Sequence, residues 1–229
     1  MNNDTQKRSL AIFDLDETLL SIDSDHAWGQ FLVDQQLVNV EDFRKRNDEF
    51  YRQYKSGNLD VDAYYRFSSE ILTLIPPENL ETVRRHFIEE IVSPHILPSG
   101  LDLIESHRKK GHYLLLITAT LEFITAPIAE LLGIPHLIAP VPESINGIYT
   151  GKLAGVPSFR EGKLIRLNQW LDKNLYSLEE SYFYTDSFND LPLLEAVGIP
   201  VVVDPDDKLL AVARERDWQI ISLRGNRKV

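Results

Sequence analysis

Leu10-Ala11-Ile12-Phe13-Asp14-Leu15-Asp16-Glu17-Thr18-Leu19-Leu20 begins as an apolar run long enough for a buried strand and breaks into two aspartates. Residues two apart in a strand point to the same side, so Asp14 and Asp16 aim at one region beyond the strand's end. Carboxylates that close repel each other, and a shared proton or a divalent cation relieves the repulsion. The plainer reading of either residue is a turn cap after the strand.

Downstream, residues 21–93 carry no strand signal. Their apolar residues, among them Phe31, Leu32, Phe43, Phe50, Tyr54, Phe67, Ile71, Val83 and Phe87, recur at spacings of three and four, as on amphipathic helices. Turn signals at Lys55-Ser56-Gly57-Asn58 and Ile75-Pro76-Pro77 divide the stretch. The pattern predicts a helical module inserted directly after the first strand. Beyond Pro98-Ser99-Gly100 it changes to alternation. Helices are expected over 101–110, 121–132, 161–174, 191–197 and 208–216, and strands over 113–117, 136–139, 182–184, 199–203 and 218–222. Asn146-Gly147 between strand-like residues signals a hairpin. Such alternation implies an α/β fold with a doubly wound, mostly parallel sheet. The expected division is a core of 1–20 and 94–229 and a helical unit of 21–93.

The chain has 229 residues, 43% hydrophobic and 26% charged, which suits one substantial domain or a domain with an insert. With no cysteine, disulfides, thiolate metal sites and a Cys nucleophile are excluded. The N-terminal segment Met1 to Arg8 lacks a signal peptide's apolar region, and the first apolar run is too short for a span, so a cytoplasmic protein without membrane contact is expected. A net charge of −11 disfavours nucleic acid as a partner. The basic tail from Arg224 to Val229 reads as a solvated end.

Ligands bind in such sheets at the carboxyl ends of the strands. The polar residues that directly follow the apolar runs, Asp14 and Asp16, Thr118, and Asp186 with Asp190, are therefore expected to converge. Carboxylates from separate loops suit Mg²⁺, a hard cation that keeps waters and a substrate phosphate among its ligands. Helix N-capping is the competing reading of Asp186-Ser187-Phe188-Asn189-Asp190. The Thr118 hydroxyl, with the N–H groups of Ala119 and Thr120 at a helix start, can hold a phosphate oxygen, or Thr118 can simply cap that helix. Lys163 can offset phosphate charge from a helix start, with Lys152 as its competitor.

Asp14-Leu15-Asp16-Glu17-Thr18, Thr118 after an apolar strand, Lys163, and Asp186-Ser187-Phe188-Asn189-Asp190 resemble, in order, the four motifs of the haloacid dehalogenase superfamily. The all-helical insert resembles the cap of its phosphoserine-phosphatase-like branch, subfamily IB. The resemblance implies a Rossmann-like core and a phosphomonoesterase. In it Asp14 is the nucleophile that forms an aspartyl-phosphate, and Asp16 is the general acid and base. It further implies Mg²⁺ held by Asp14, the Asp16 carbonyl and Asp186, with Asp190 and Asn189 in support, and phosphate held by Thr118, Ala119 and Lys163. An acid two residues after the nucleophile points to hydrolysis or a phosphomutase. A non-catalytic phosphate-binding module is the rival outside enzymes.

For the substrate, a small phosphorylated metabolite, Asp23 takes the place of the carboxylate that reads phosphoserine in that branch. The companion arginine position falls at Ser68, with Arg66 two residues away. Asp23-Ser24-Asp25-His26-Ala27-Trp28-Gly29 more closely resembles the bacterial histidinol-phosphatases of the superfamily. Asp23, Asp25, His26 and Trp28 are the cap residues this implies for a cationic, imidazole-bearing amino alcohol, with phosphoserine phosphatase or a generalist enzyme as the alternatives. For Trp28 the competing reading is cap core, and for Asp25 and His26 it is surface.

Overall fold

The computed structural model describes residues 8–225; the segment 1–7 and, of the basic tail 224–229, residues 226–229 lie outside the described residues, while Arg224 is not the solvated end expected, its Nη2 donating to the Glu17 carbonyl at 2.8 Å. Strand β1 (Arg8–Phe13) is followed by four helices, α1 (Ser24–Asp34), α2 (Val40–Ser56), α3 (Val61–Leu74) and α4 (Pro77–Phe87). Then come α5 (Pro98–Lys109), β2 (Tyr113–Ile117), α6 (Glu122–Leu131), β3 (His136–Ile138), the pair β4 (Val141–Ile145) and β5 (Ile148–Ala154), and α7 (Glu161–Leu171). The chain closes with β6 (Tyr176–Thr185), α8 (Leu191–Leu194), β7 (Ile199–Val203), α9 (Asp207–Glu215) and β8 (Gln219–Ile221).

Six strands form one sheet in the order β3-β2-β1-β6-β7-β8, and every neighbouring pair is parallel. β1 lies at the centre because its apolar residues serve both faces. Leu10 and Ile12 pack with Leu115, Phe183 and Val202 against α7, α8 and α9. Ala11 and Phe13 pack with Leu114, Leu116 and Tyr184 on the opposite face, continuous with the core of α1–α4. This two-sided burial is why the parallel strands read as unbroken apolar runs.

The helical insert leaves and re-enters the core at one place. Leu20 bridges Ile96 in antiparallel fashion, the Leu97 N–H donates to the Leu19 carbonyl at 3.0 Å, and the Ser21 N–H donates to the His95 carbonyl at 2.9 Å. Asn146 and Gly147, at φ 55° and 80°, make the hairpin turn between β4 and β5, as the primed turn geometry requires.

Three elements differ from the sequence reading. β6 starts at Tyr176 rather than at 182, because a register shift between Ser9 and Ala11 lets it follow β1 past the exposed Glu179-Glu180 pair. The helix from Glu161 stops at Leu171, and the one from Leu191 is a single turn preceded by a 3-10 turn over Phe188–Asp190.

Candidate active site

Asp14 sits one residue past β1, held to the neighbouring strand by its N–H, which donates to the Tyr184 carbonyl at 2.9 Å. Its Oδ1 accepts from the Lys163 Nζ at 2.8 Å, and the same ammonium donates to Asp190 at 2.8 Å. All three side chains are buried. The Thr185 hydroxyl donates to Asp190 at 2.7 Å, so this carboxylate is fixed from two sides. Lys163 reaches the site from the first turn of α7, where Gly162 lets the chain pass close: a Cβ there would stand 2.1 Å from the Pro157 carbonyl oxygen. The two flanking aspartates hold the Lys163 proton more firmly than in water, outweighing its burial.

Asp16 faces the other way. Its Oδ1 accepts from the Ser24 N–H at 2.7 Å, in the first turn of α1, and its Oδ2 accepts from the Thr120 hydroxyl at 2.7 Å. Burial, and after it the Asp23 carboxylate, push Asp16 up to about 7, against the pull of the Ser24 and Thr120 donors. Burial also lifts Asp14 to about 7, with Lys163 drawing it down and Asp190 and Asp16 adding to the rise. A carboxyl that exchanges its proton near neutrality is what acid-base catalysis requires.

Asp186 closes the third side. Thr18 links it to the β1 loop, its hydroxyl donating to Asp186 Oδ1 at 3.2 Å and accepting from the Asp186 N–H at 3.1 Å. Burial raises Asp186 well above the carboxylate range, and Asp14 and Glu17 push it further. Among the described residues no three His, Cys, Asp or Glu side chains stand close enough to hold a metal by themselves. A donor set of two carboxylates and a backbone carbonyl still fits magnesium, which takes few protein ligands and keeps water and phosphate oxygens. The surplus negative charge around Asp186 and Asp14 is what a dication would relieve.

Thr118 directly follows the last residue of β2 and is buried beside the site. The following helix begins at Glu122, one residue after the expected 121, so Ala119 and Thr120 are loop residues, and the Thr120 N–H donates to the Thr118 Oγ1 at 3.1 Å. Thr118 thus makes the capping contact through its hydroxyl oxygen, while the Thr120 hydroxyl serves Asp16. Asn189 Oδ1 accepts from the Arg160 Nε at 3.1 Å, which places Asn189 on an arginine that sequence reasoning passed over.

A narrow cavity, continuous with solvent, opens from Asp14 and Asp16 toward the helical insert. Asp23, Asp25, His26, Asn47, Phe50, Tyr51, Tyr54 and Tyr64 line it from α1, α2 and α3, and Thr118, Ala119 and Phe159 from the core. Asp23 caps α1 by accepting from the His26 N–H at 2.8 Å, and Tyr64 donates its hydroxyl to Asp25. The His26 ring lies on Tyr51, centroids 4.4 Å apart, with its Nε2 2.9 Å from Asp48 Oδ1. Burial lifts both Asp23 and Asp25 to about 6. Trp28 is not in this wall. It is 2% exposed and packs on Phe31, Phe87 and Phe123, because the opposite face of α1 carries the apolar stripe. Lys152 and the exposed Arg66 share a separate surface groove, and the buried Ser68 turns its hydroxyl to the Tyr65 carbonyl.

Residues 11–195 match the family model of haloacid dehalogenase-like hydrolases. The chain belongs to that family. Relatives of this haloacid dehalogenase-like hydrolase include a histidinol-phosphatase of Neisseria meningitidis serogroup C (strain 8013), 43% identical over 95% of this chain and 100% of that protein. A crystal structure of a protein of unknown function from Bordetella pertussis Tohama I is 40% identical and superposes with a TM-score of 0.89, covering 95% of this chain and 100% of that one. A solved structure of a phospho-aspartyl intermediate analogue of phosphoserine phosphatase shares the fold at 16% identity, with a TM-score of 0.70 over 96% of this chain and 94% of that one. The enzyme is thus a phosphatase of this family, its relatives named histidinol-phosphatase and phosphoserine phosphatase being phosphoric monoester hydrolases.

Proposed function

We propose that this chain is a magnesium-dependent phosphomonoesterase that works through an aspartyl-phosphate on Asp14 and acts on histidinol phosphate, in the cytoplasm. The residues 21–93 serve as its cap. The observation that carries the chemistry is the pair of differently held aspartates. Asp14 is gripped through one oxygen by buried Lys163, and Asp16 is suspended between Thr120 and the start of α1 with its proton in exchange near neutrality.

In the first displacement the Asp14 carboxylate attacks phosphorus, the ester P–O bond breaks, and Asp16 gives its proton to the leaving alkoxide. In the second, a water gives its proton to Asp16 and attacks the same phosphorus, and the Asp14 carboxylate leaves. Lys163 keeps Asp14 oriented in both and balances phosphate charge. Asp14, the Asp16 carbonyl and Asp186 would hold the magnesium ion, whose charge lets an anionic nucleophile approach an anionic ester.

The substrate assignment rests on the cavity wall. Asp23 and Asp25 project into it beside stacked His26 and Tyr51, and no lysine or arginine lines it among the described residues. An ammonium group finds carboxylates there and an imidazole finds aromatic rings. Phosphoserine would bring a carboxylate to a wall with no cation to pair it, so it comes second. The relative named histidinol-phosphatase points the same way. Catalytic efficiency compared on histidinol phosphate, phosphoserine and sugar phosphates tests the assignment. Histidinol phosphate should lead by at least about tenfold, about one ion-pair's worth of discrimination. Asp25→Asn should shrink that lead; equal weak rates on all three contradict it.

A further inference from the structure

Arg160 stands at the junction of three segments. Its backbone takes φ 49° and ψ −123°, a conformation that glycine adopts far more readily, so a guanidinium is carried where the chain itself prefers no side chain. Its carbonyl accepts from the Lys163 N–H at 3.0 Å. The Nε donates to Asn189 Oδ1 at 3.1 Å, within the Asp186–Asp190 loop, and the Nη2 donates to the Gly57 carbonyl at 2.5 Å. Its planar head lies 5.0 Å from the ring centroid of Phe159, which lines the cavity against Tyr54.

Gly57 is the left-handed C-cap of α2, the helix that supplies Asn47, Phe50, Tyr51 and Tyr54 to the cavity. The last carbonyls of a helix lack intrahelical donors and form the negative end of its dipole. Two core cations meet them here: Arg160 at Gly57, and Lys208 of α9, whose Nζ donates to the Ser56 carbonyl at 3.1 Å. Among the described residues the Lys208 ammonium hydrogen-bonds only to the insert, whereas Arg160 also holds the acidic loop.

We propose that Arg160 is a positioning residue that latches α2 to the Asp186–Asp190 loop, so that seating the helical insert and setting Asp190 against Lys163 are one coupled event. The fork geometry of the guanidinium permits this, since one head can donate in two directions at fixed angles, which an ammonium on a flexible stem does not reproduce.

Hydrogen exchange on the full-length protein, read segment by segment, tests the latch without reference to any substrate. In Arg160→Gly, which relaxes the backbone while removing the head group, amides of 53–60 and of 186–190 should both exchange about tenfold faster or more, with β1 and β7 unchanged. Lys208→Ala should quicken only 53–60, and Arg160→Lys should fall between wild type and Arg160→Gly. Should Arg160→Gly fail to fold, the Arg160→Lys and Lys208→Ala comparison carries the test: faster exchange in both segments for the first and in one for the second.

The kinetic arm rests on the phosphatase reading. Relative to methyl phosphate, too small to fill the cavity, the kcat/KM of Arg160→Gly on histidinol phosphate should fall about tenfold, with partial recovery in Arg160→Lys. Exchange that quickens in only one of the two segments, in neither, or uniformly through the chain overturns the latch. Absence of turnover on every ester with the paired exchange response intact instead overturns the phosphatase reading and leaves the latch standing.

Discussion

Thr120→Val removes one hydroxyl and keeps the shape of the side chain. In the native protein that hydroxyl donates to Asp16 Oδ2 at 2.7 Å, and it is one of the donors that hold the Asp16 proton affinity down against burial. A hydrogen bond to a charged group contributes about 1.5–3 kcal/mol, equivalent to about one to two pH units on the carboxyl it serves. Asp16, at about 7 with the bond in place, then ionises that much later. Hydrolysis of the aspartyl-phosphate needs Asp16 as a base, so the alkaline-rising limb of that step should move up by the same interval. At pH 7 the ionised fraction, and with it the rate, should drop about 5- to 50-fold, and the loss should shrink to about twofold or less by about pH 9 and vanish near pH 10. The assay is single-turnover decay of the phosphoenzyme from pH 5 to 10, with an aryl phosphate as donor and magnesium saturating. A variant profile that overlays the wild type, or falls equally at every pH, refutes the role given to Asp16 and Thr120.

Lys163→Met should leave Asp14 and Asp190 buried without their cation and cost about 3–5 kcal/mol. Calorimetry in chelator should show it as a Tm lowered by about 6–20 °C, and a change under about 2 °C contradicts the buried triad. The raised Asp14, Asp16, Asp23 and Asp25 carboxyls, at about 6 to 7 folded, against 3.8 unperturbed, bind protons in the folded chain that the unfolded chain has released. Their contribution is full below about pH 4 and is lost as pH rises to about 7. Burial lowers His107 to about 4 and also lowers His112 and His136, so these imidazoles oppose the trend below about pH 6.5. In chelator, Tm should therefore rise from pH 8 to pH 5.5, and magnesium should raise Tm more at pH 8 than at pH 5.5; the reverse order contradicts the cation site.

The sheet and the carboxylate cluster were legible because both rest on local pattern. Two-sided burial makes β1, β2 and β7 continuous apolar runs, and parallel strands bring the residues after those runs to one edge whatever their separation in sequence. Thr120, Thr18 and Arg160 were not legible. Threonines near a turn read as caps, and nothing in one sequence says that their hydroxyls cross more than a hundred residues to Asp16 and Asp186. Arg160 carried no signal because its positive φ belongs to the tertiary fold; a glycine there would have marked the turn. Trp28 was misplaced as a stacking ring because α1 has two useful faces, and periodicity does not say which one meets the cavity. The ring that does face the cavity is Tyr51, on α2, stacked on His26.

The central claim is that Asp14 bonds covalently to phosphorus. Rapid acid quench of the enzyme with a phosphoryl-labelled ester, followed by peptide mapping, measures this directly. The account predicts label on the peptide containing Asp14, released by hydroxylamine, and neither label nor turnover in a folded Asp14→Asn. Sustained turnover by Asp14→Asn, or wild-type turnover with no protein-bound label under conditions that slow the second step, contradicts it.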